Sequence, residues 1–478
     1  MKPILIVAAE EWRYWMRSKL ALSVIALFMV ILVAVAFLTA VRMQAEIAER
    51  SHHQAESEQT FLSQPDRHPH RMVHYGHYVF RAPTPLALID PGLDSVTGKS
   101  IFLEGHRQNS ATFSASSASA NFSGLALLTP ATIYQLLAPL LIILLGHGAV
   151  VREREARTLA PLLAQGLGGH GLIAGKALAL FSFVCVLILP LAASALFTLI
   201  KGESLLAAAS LVGVYILYLL VWAALTLIVS SILRKRSSVI AALAALWLLL
   251  VLVLPAIAVN VAFRAVPIAG KIETELLMLA EVRQLGDGHN EQDSAFEQLR
   301  ANLLNQQGVE RVEDLDVNIR GVVAQTGEEK LTEVMNRYAD RRMQAELQQA
   351  NLLAGHGWFT PMLAVATASR AISGTDLEHH HRFLRQAEEL RYNFVQGLNK
   401  VHAEKLSYTD DINRSRDEDS SVRARTDASN WHLLDEFRFE PASASERLIS
   451  AGKPALSLLV WMAILSGLLV WTGRSLKP

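Results

Sequence analysis

The stretch SLLAAASLVGVYILYLLVWAALTLIVSSILRKR, residues 204–236, reads as a membrane crossing followed by its anchor. Residues 204–233 contain no Asp, Glu, Lys or Arg, and about 20 apolar residues in a helix suffice to cross the hydrocarbon core with every backbone group satisfied internally. Five further runs have the same character: 20–41, 131–151, 177–200, 237–263 and 454–473. A chain of 478 residues that is 51% hydrophobic and 18% charged is too apolar for an ordinary soluble multidomain protein. The runs predict an α-helical polytopic membrane protein: six transmembrane helices, a small mixed first extracytoplasmic subdomain and a larger, mainly helical second one. Equal numbers of basic and acidic residues, 44 of each, leave no overall basic field for nucleic acid. The single cysteine, Cys185, sits inside an apolar run, which excludes an internal disulfide framework and a cysteine metal cluster.

Short flanks carry the orientation, because Lys and Arg are retained on the cytoplasmic side. Lys2, Arg13, Arg17 and Lys19 precede the first run; Arg152, Arg154, Arg157 and Lys176 lie between the second and third; Arg234, Lys235 and Arg236 separate the fourth and fifth; Arg474 and Lys477 follow the sixth. The opposite short loop has only Lys201. Both termini are therefore expected in the cytoplasm of a bacterial inner-membrane protein, with 42–130 and 264–453 outside. Ala34-Val35-Ala36 offers a signal-peptide cleavage pattern, but the apolar run exceeds the usual 7 to 15 residues. Trp12, Trp15 and Arg17 suit an interfacial helix over 1–19 that leads into a retained span.

The first outer segment opens with a polar helical stretch, 42–63, and then turns to Pro, Gly and Asp punctuation with short apolar runs, as in a small irregular or β-containing unit. Its end, 110–123, is rich in Ser and Ala and reads as a flexible lead into the second span. In the second segment, Ser294/Glu297, Thr326/Glu329 and Thr375/Glu378 have capping-box spacing, and Gly308 and Gly355 suit helix ends. This predicts a helix over 328–354 of about 40 Å. Leu377, His381, Leu384, Ala387, Arg391, Phe394, Leu398 and Val401 then recur on one helical face. The charged stretch 410–429 reads as a mobile loop.

Two stretches, HYGHYVFRAPTPLALIDPGLDSVTGKSIFLEGHRQN at 74–109 and SGTDLEHHHRFLRQAEELRYNFVQGLNK at 373–400, resemble the ABC-2 permeases that carry a DUF3526-type region. The likeness extends over nearly the whole chain, and more distantly the chain is similar to permeases associated with gliding motility and nitrous-oxide-reductase maturation. The loop VREREARTLAPLLAQGLGGHGLIAGK, 151–176, resembles the ABC-2 pattern of alternating charges, Thr-Leu, a Leu pair and a terminal Gly-Lys. The pattern falls on Glu153, Arg154, Glu155, Thr158, Leu159, Leu162, Leu163, Gly175 and Lys176, and many relatives have Gly where this chain has Arg157. The resemblance implies that 152–176 is a cytoplasmic coupling loop, with Glu153, Arg154, Glu155, Thr158 and Leu159 receiving a separate ABC ATPase that holds ATP and Mg. It also implies pairing with a second copy or a related permease. Without the resemblance, an ordinary charged loop obeying the positive-inside rule explains the same residues.

Other motifs are weaker. Gly171, Gly175 and Lys176 fail the spacing of a nucleotide loop, because only three residues separate the glycines and Ala177 follows the lysine, where magnesium needs Ser or Thr. No catalytic or cofactor motif is found in the chain. Fourteen of the 16 histidines fall in the outer segments, and His70, His74 and His77 are candidate metal ligands. The competing reading makes them polar loop residues, with His381 packed on the helix face and His379 in solvent. Gln135, His147 and Asn260 lie within spans and need protein or water partners. The resemblance implies the permease subunit of an ATP-driven transporter, in the direction of export. The alternatives are a subunit that conveys ATP-driven motion to a periplasmic partner, and a metal- or cofactor-maturation transporter.

Overall fold

The computed structural model describes residues 2–112, 128–286, 288, 290–434 and 436–476. Most of the Ser/Ala-rich lead and Lys477 lie outside them. Six helices are long and apolar enough to cross a membrane. They are α2 (Lys19–Leu62), α4 (Pro130–Glu155), α5 (Gly168–Ile200), α6 (Leu205–Ile232), α7 (Arg236–Ala265) and the last, Ala444–Ser475. Five of them contain a predicted run, and α6 matches 204–233 to within one residue at each end. A shorter helix, α1 (Lys2–Arg17), precedes them and is separated from α2 by Ser18, whose Oγ accepts from the Ala21 amide at 3.3 Å.

Helices α4 and α6 are mostly buried, whereas α2, α7 and the last span leave most of their apolar surface uncovered. In lipid no hydrophobic force drives such helices together, so close packing of small residues decides the contacts. Helix α6 supplies Ala207, Ala208, Ala223 and Ala224 to this core. Helix α1 turns Ala8, Glu11 and Trp15 inward, at helical spacing, and leaves Leu5, Ile6 and Met16 exposed. Gly175 lets α1 approach α5: an added Cβ would lie 2.6 Å from Val7 Cβ. Helix α1, the end of the last span and the loop 152–167 share one end of the bundle, since Gly169 also abuts the Gly473 carbonyl.

The remainder forms a globular part at the other end. It comprises α3 (Pro69–Tyr75), a hairpin of β1 (His77–Phe80) and β2 (Ser100–Leu103), α8 (Lys271–Val282), α9 (Glu297–Gln307), α10 (Ile319–Gly355), α12 (Leu377–Lys405), α13 (Tyr408–Asn413) and α14 (Glu418–Arg423), whereas α11 (Pro361–Ser373), between α10 and α12 in the chain, joins the bundle. The last span is then α15. Strands β1 and β2 pair antiparallel, with His77 opposite Leu103 and Phe80 opposite Ser100. The two outer segments share their cores. Phe61, Met72 and Val73 pack with Phe394, Val395, Leu398 and Trp431, and Val79, Ile101 and Leu103 pack with Phe383, Ala387 and Phe437.

Several local expectations are corrected. Helix α10 begins nine residues before Glu328, at Ile319, because Asn318 caps it by accepting from the Arg320 amide at 3.0 Å. Thr326 lies inside the helix. Asp293 and Asp376 cap the neighbouring elements in place of Ser294 and Thr375; Asp caps as well as Ser and better than Thr. Gly308 does end α9 in the left-handed region, with φ 67°, but Gly355 stays helical with φ −59°. The stretch 410–429 is not a free loop: it forms α13 and α14, anchored by buried Asp411. Helix α11, within the large outer segment, is apolar and buried, and Ala364, Ala368 and Ala371 pack it against α6 and α15 in the bundle core.

Candidate functional site

The loop after α4 is held by its own charges. Glu11, on the inward face of α1, is 1% exposed and ion-pairs with both Lys176 and Arg152. Lys176, near the start of α5 and 3% exposed, also donates to Glu153 Oε1 at 3.0 Å. Arg152 reaches Glu153 at 3.3 Å and lies 3.9 Å over the Tyr14 ring. Two carboxylates and two cations thus balance in a site from which water is largely excluded, the condition under which buried charge is tolerated. Trp15 and Trp12 wall it from the bundle interior, donating to the Leu145 carbonyl at 3.2 Å and to Ser182 Oγ at 2.8 Å.

The neighbouring residues extend this wiring. Arg154 donates to the Leu233 carbonyl at 2.8 Å and the Ser231 carbonyl at 3.0 Å, which satisfies open carbonyls at the end of α6. Glu155 accepts from the Arg236 amide at 2.8 Å and pairs with its guanidinium at 2.9 Å, at the start of α7. Thr158 Oγ1 donates to Glu153 Oε2 at 2.7 Å. Leu159 is 2% exposed and begins a short helical turn, Leu159–Leu162. Arg157 has φ 58°, a left-handed conformation that costs a residue with Cβ roughly 1–2 kcal/mol and glycine almost nothing. The glycine of the resembling sequences is thereby explained.

The five expected coupling residues therefore come together, but their charged groups face other helices. What the loop shows to solvent is Ala156, Arg157, Ala160, Pro161, Ala164, Gln165 and Gly166, with Glu155 and Thr158, two of the five, exposed beside them. Sequence reading missed Glu11. Its signal was available: an acidic residue on the Ala8/Glu11/Trp15 face of an otherwise interfacial helix must find a cation.

The histidine candidates separate. His70 and His74 lie on α3 with Nε2 atoms 3.1 Å apart, whereas His77 is buried on β1 with Nδ1 3.2 Å from Ser57 Oγ. His106, which sequence reading passed over, joins the first two. His379, expected in solvent, is 3% exposed and packs edge-on against Phe439; burial pushes its imidazole down to about 3. A second cluster places His68 and His402 on Asp411, at 3.1 and 2.8 Å. Burial alone would push that carboxyl up, but hydrogen bonds from His402 and His68 outweigh it and hold the group well below the carboxylate range. Within the spans, Gln135 donates to the Tyr215 hydroxyl at 2.9 Å, so it faces protein.

Residues 5–280 match the profile of the ABC-2 family transporter proteins, more than half of the chain. The chain belongs to the ABC-2 family. As an ABC-2 permease it is a membrane subunit of an ABC transporter, a class that works with an ABC ATPase. Residues 275–440 of the permease match a domain of unknown function, DUF3526. The two matches meet within α8, so the stretch 74–109 belongs to the ABC-2 match and 373–400 to the second domain. No curated protein matches the permease.

Proposed function

We propose that this permease is the membrane half of an ATP-driven exporter of the bacterial inner membrane, with 152–176 in the cytoplasm and the globular part outside. ATP and Mg belong to a separate ATPase that seats on the exposed strip from Ala156 to Gln165. A second permease, identical or related, completes the pathway. The observation that carries this reading is the loop's attachment to four elements at once: α1 through Arg152 on Glu11, α5 through Glu153 on Lys176, α6 through Arg154 and α7 through Glu155. A push on such a loop moves several spans together, whereas a loop serving only as a topological signal needs no such attachments.

Charges placed on the strip test the docking. Ala160→Asp with Ala164→Asp introduces two carboxylates at exposed positions and should leave insertion unchanged while removing the co-purifying ATPase. Full retention of the ATPase would reject the strip as its seat. Orientation is tested separately in a Cys185→Ser background. Val96→Cys and Lys400→Cys, at positions 62% exposed and with a side chain 64% exposed, should react with an impermeant thiol reagent in spheroplasts. Lys235→Cys should be protected, and labelling there with protection at the other two would invert the topology.

A further inference from the structure

We propose that His70, His74 and His106 form a binding site for one divalent transition-metal ion of the zinc or copper class. His70 and His74 are four residues apart on α3, so both leave the same helical face one turn apart. His106 comes from the turn after β2, with its ring centroid 5.7 Å from that of His70 and 5.1 Å from that of His74. One ring nitrogen of each lies within 4.8 Å of the others. Tetrahedral zinc with nitrogen ligands at about 2.0–2.1 Å keeps those nitrogens about 3.3 Å apart. The 3.1 Å between the Nε2 atoms of His70 and His74 is close to that separation. Only His106 has to close in.

The backbone and a neighbouring carboxylate hold the third histidine in place. The Gly105 amide donates to the Val73 carbonyl at 2.9 Å, which ties the turn directly to α3. A Cβ at Gly105 would lie 2.2 Å from Val73 Cγ1, so glycine permits the approach. His106 itself adopts φ 63°, a left-handed conformation uncommon for a residue with a side chain and found where the surroundings impose it. Its Nδ1 lies 2.7 Å from Glu328 Oε2, and Glu328 is in turn gripped by Arg391 Nη1 at 2.5 Å. A histidine that donates from Nδ1 to a carboxylate presents the Nε2 lone pair, the tautomer and outer partner typical of metal-bound imidazole.

Three neutral imidazoles favour zinc or copper over magnesium or calcium, which take oxygen ligands. Three protein ligands leave a fourth position for water or an exchanging ligand, and His74 is exposed, so the ion has an entry. The His68–His402–Asp411 cluster lacks these properties. Arg414 pairs with Asp411 at 2.5 Å and Arg320 at 3.4 Å, so two guanidinium groups already fill the place of a cation. Because His70, His74 and His106 belong to the first outer segment and Glu328 to α10, an ion here braces the junction between the two segments.

The test uses the full chain in detergent, purified without a polyhistidine tag, and titrated with Zn2+ against a chromophoric chelator and with Co2+ by visible absorption. One ion per chain is expected, with the intense bands of four-coordinate Co2+. His74→Ala, at an exposed position, should remove both signals while leaving thermal unfolding of the metal-free protein unchanged. Glu328→Gln should weaken binding about 10- to 100-fold, and His77→Ala should leave it intact. Binding that survives His74→Ala, or a folded wild-type chain that takes up no ion, would overturn the proposal and leave His70 and His74 as a hydrogen-bonded pair.

Discussion

The bundle and the globular part bury charge in opposite ways. In the bundle, among the described residues, these ion pairs lie at the two ends: Glu11, Arg152, Glu153 and Lys176 at one, Glu203 with Arg447 at 2.5 Å at the other. Neutral groups link the helices in the chain from Gln135 through Tyr215 to Ser369, whose hydroxyl donates in turn to the buried carboxyl of Asp90. The globular part instead places ion pairs between its elements, Arg81 on Asp94 at 2.7 Å and Arg391 on Glu328 and Glu388. The difference reflects solvent. Charge in the hydrocarbon layer has nowhere to hydrate, whereas a water-bound part with small apolar cores gains specific pairing from each buried ion pair.

Acid should therefore act on the two regions unequally, and this is the largest effect expected. Burial pushes the imidazoles of His68, His77 and His380 down to about 4 and that of His379 to about 3, all in the globular part. These groups stay neutral when folded but take up protons below about 6.5 when unfolded. Their contribution is fully present above that pH and is lost as pH falls toward 4. Asp376, raised to about 6 by burial, works the other way and gains as pH falls below its folded value. Asp90 and Asp94, whose carboxyls burial also pushes up, act in the same sense as Asp376, and the four imidazoles, at about 2 kcal/mol each by pH 5, are expected to outweigh the three carboxyls. Hydrogen exchange at pH 7.5 and 5 should show 60–112, 294–360 and 377–434 opening while α4, α6 and α11 stay protected. Equal opening of both regions would break the contrast.

Next in size is the charge cluster at the loop end. Glu11→Ala strands Lys176 and Arg152 beside a single carboxylate, and removing one partner of a buried pair costs about 3–5 kcal/mol. Thermal unfolding of the detergent-solubilised chain should register this, and Glu11→Ala with Lys176→Met should recover part of it. A change below 1 kcal/mol in the single variant, on the scale of about 0–1 kcal/mol for exposed pairs, would mean that water reaches the cluster. The smallest effect sharpens the same comparison: Arg157→Gly should stabilise by about 1 kcal/mol, since it relieves a left-handed residue at an exposed site without touching the cluster. Destabilisation would assign the Arg157 side chain a contact of its own.

The spans were legible because length and the absence of charge are local properties, and so was the grouping of 152–159 at one end. What remained hidden depends on residues far apart in sequence. Phe61 gives no local sign that it packs on Phe394, nor Asp411 that it receives His68 across 343 positions. A stretch as charged as 410–429 looks solvated until its partners are known. His106 escaped because a single histidine in a turn has no spacing to reveal it, while His77, two residues beyond α3, looked like part of a series. Helix ends were misplaced where Asp stood beside the chosen hydroxyl. Ser443 and Glu446, which do form a capping box on α15, have the same signature and were available to the same rule.

The position of α11 has a consequence for the order in which the chain is made. At 13 residues it is about 20 Å long, too short to cross a core of about 30 Å, yet it fills the space beside α6. That helix is complete at residue 232, whereas α11 does not begin until 361. At roughly 5–20 residues per second, ribosomes need many seconds to traverse the interval, and α15 comes later still. Until then the alanine-lined face of α6 has only lipid or a chaperone to cover it, so biogenesis passes through a five-span intermediate that waits for its keystone.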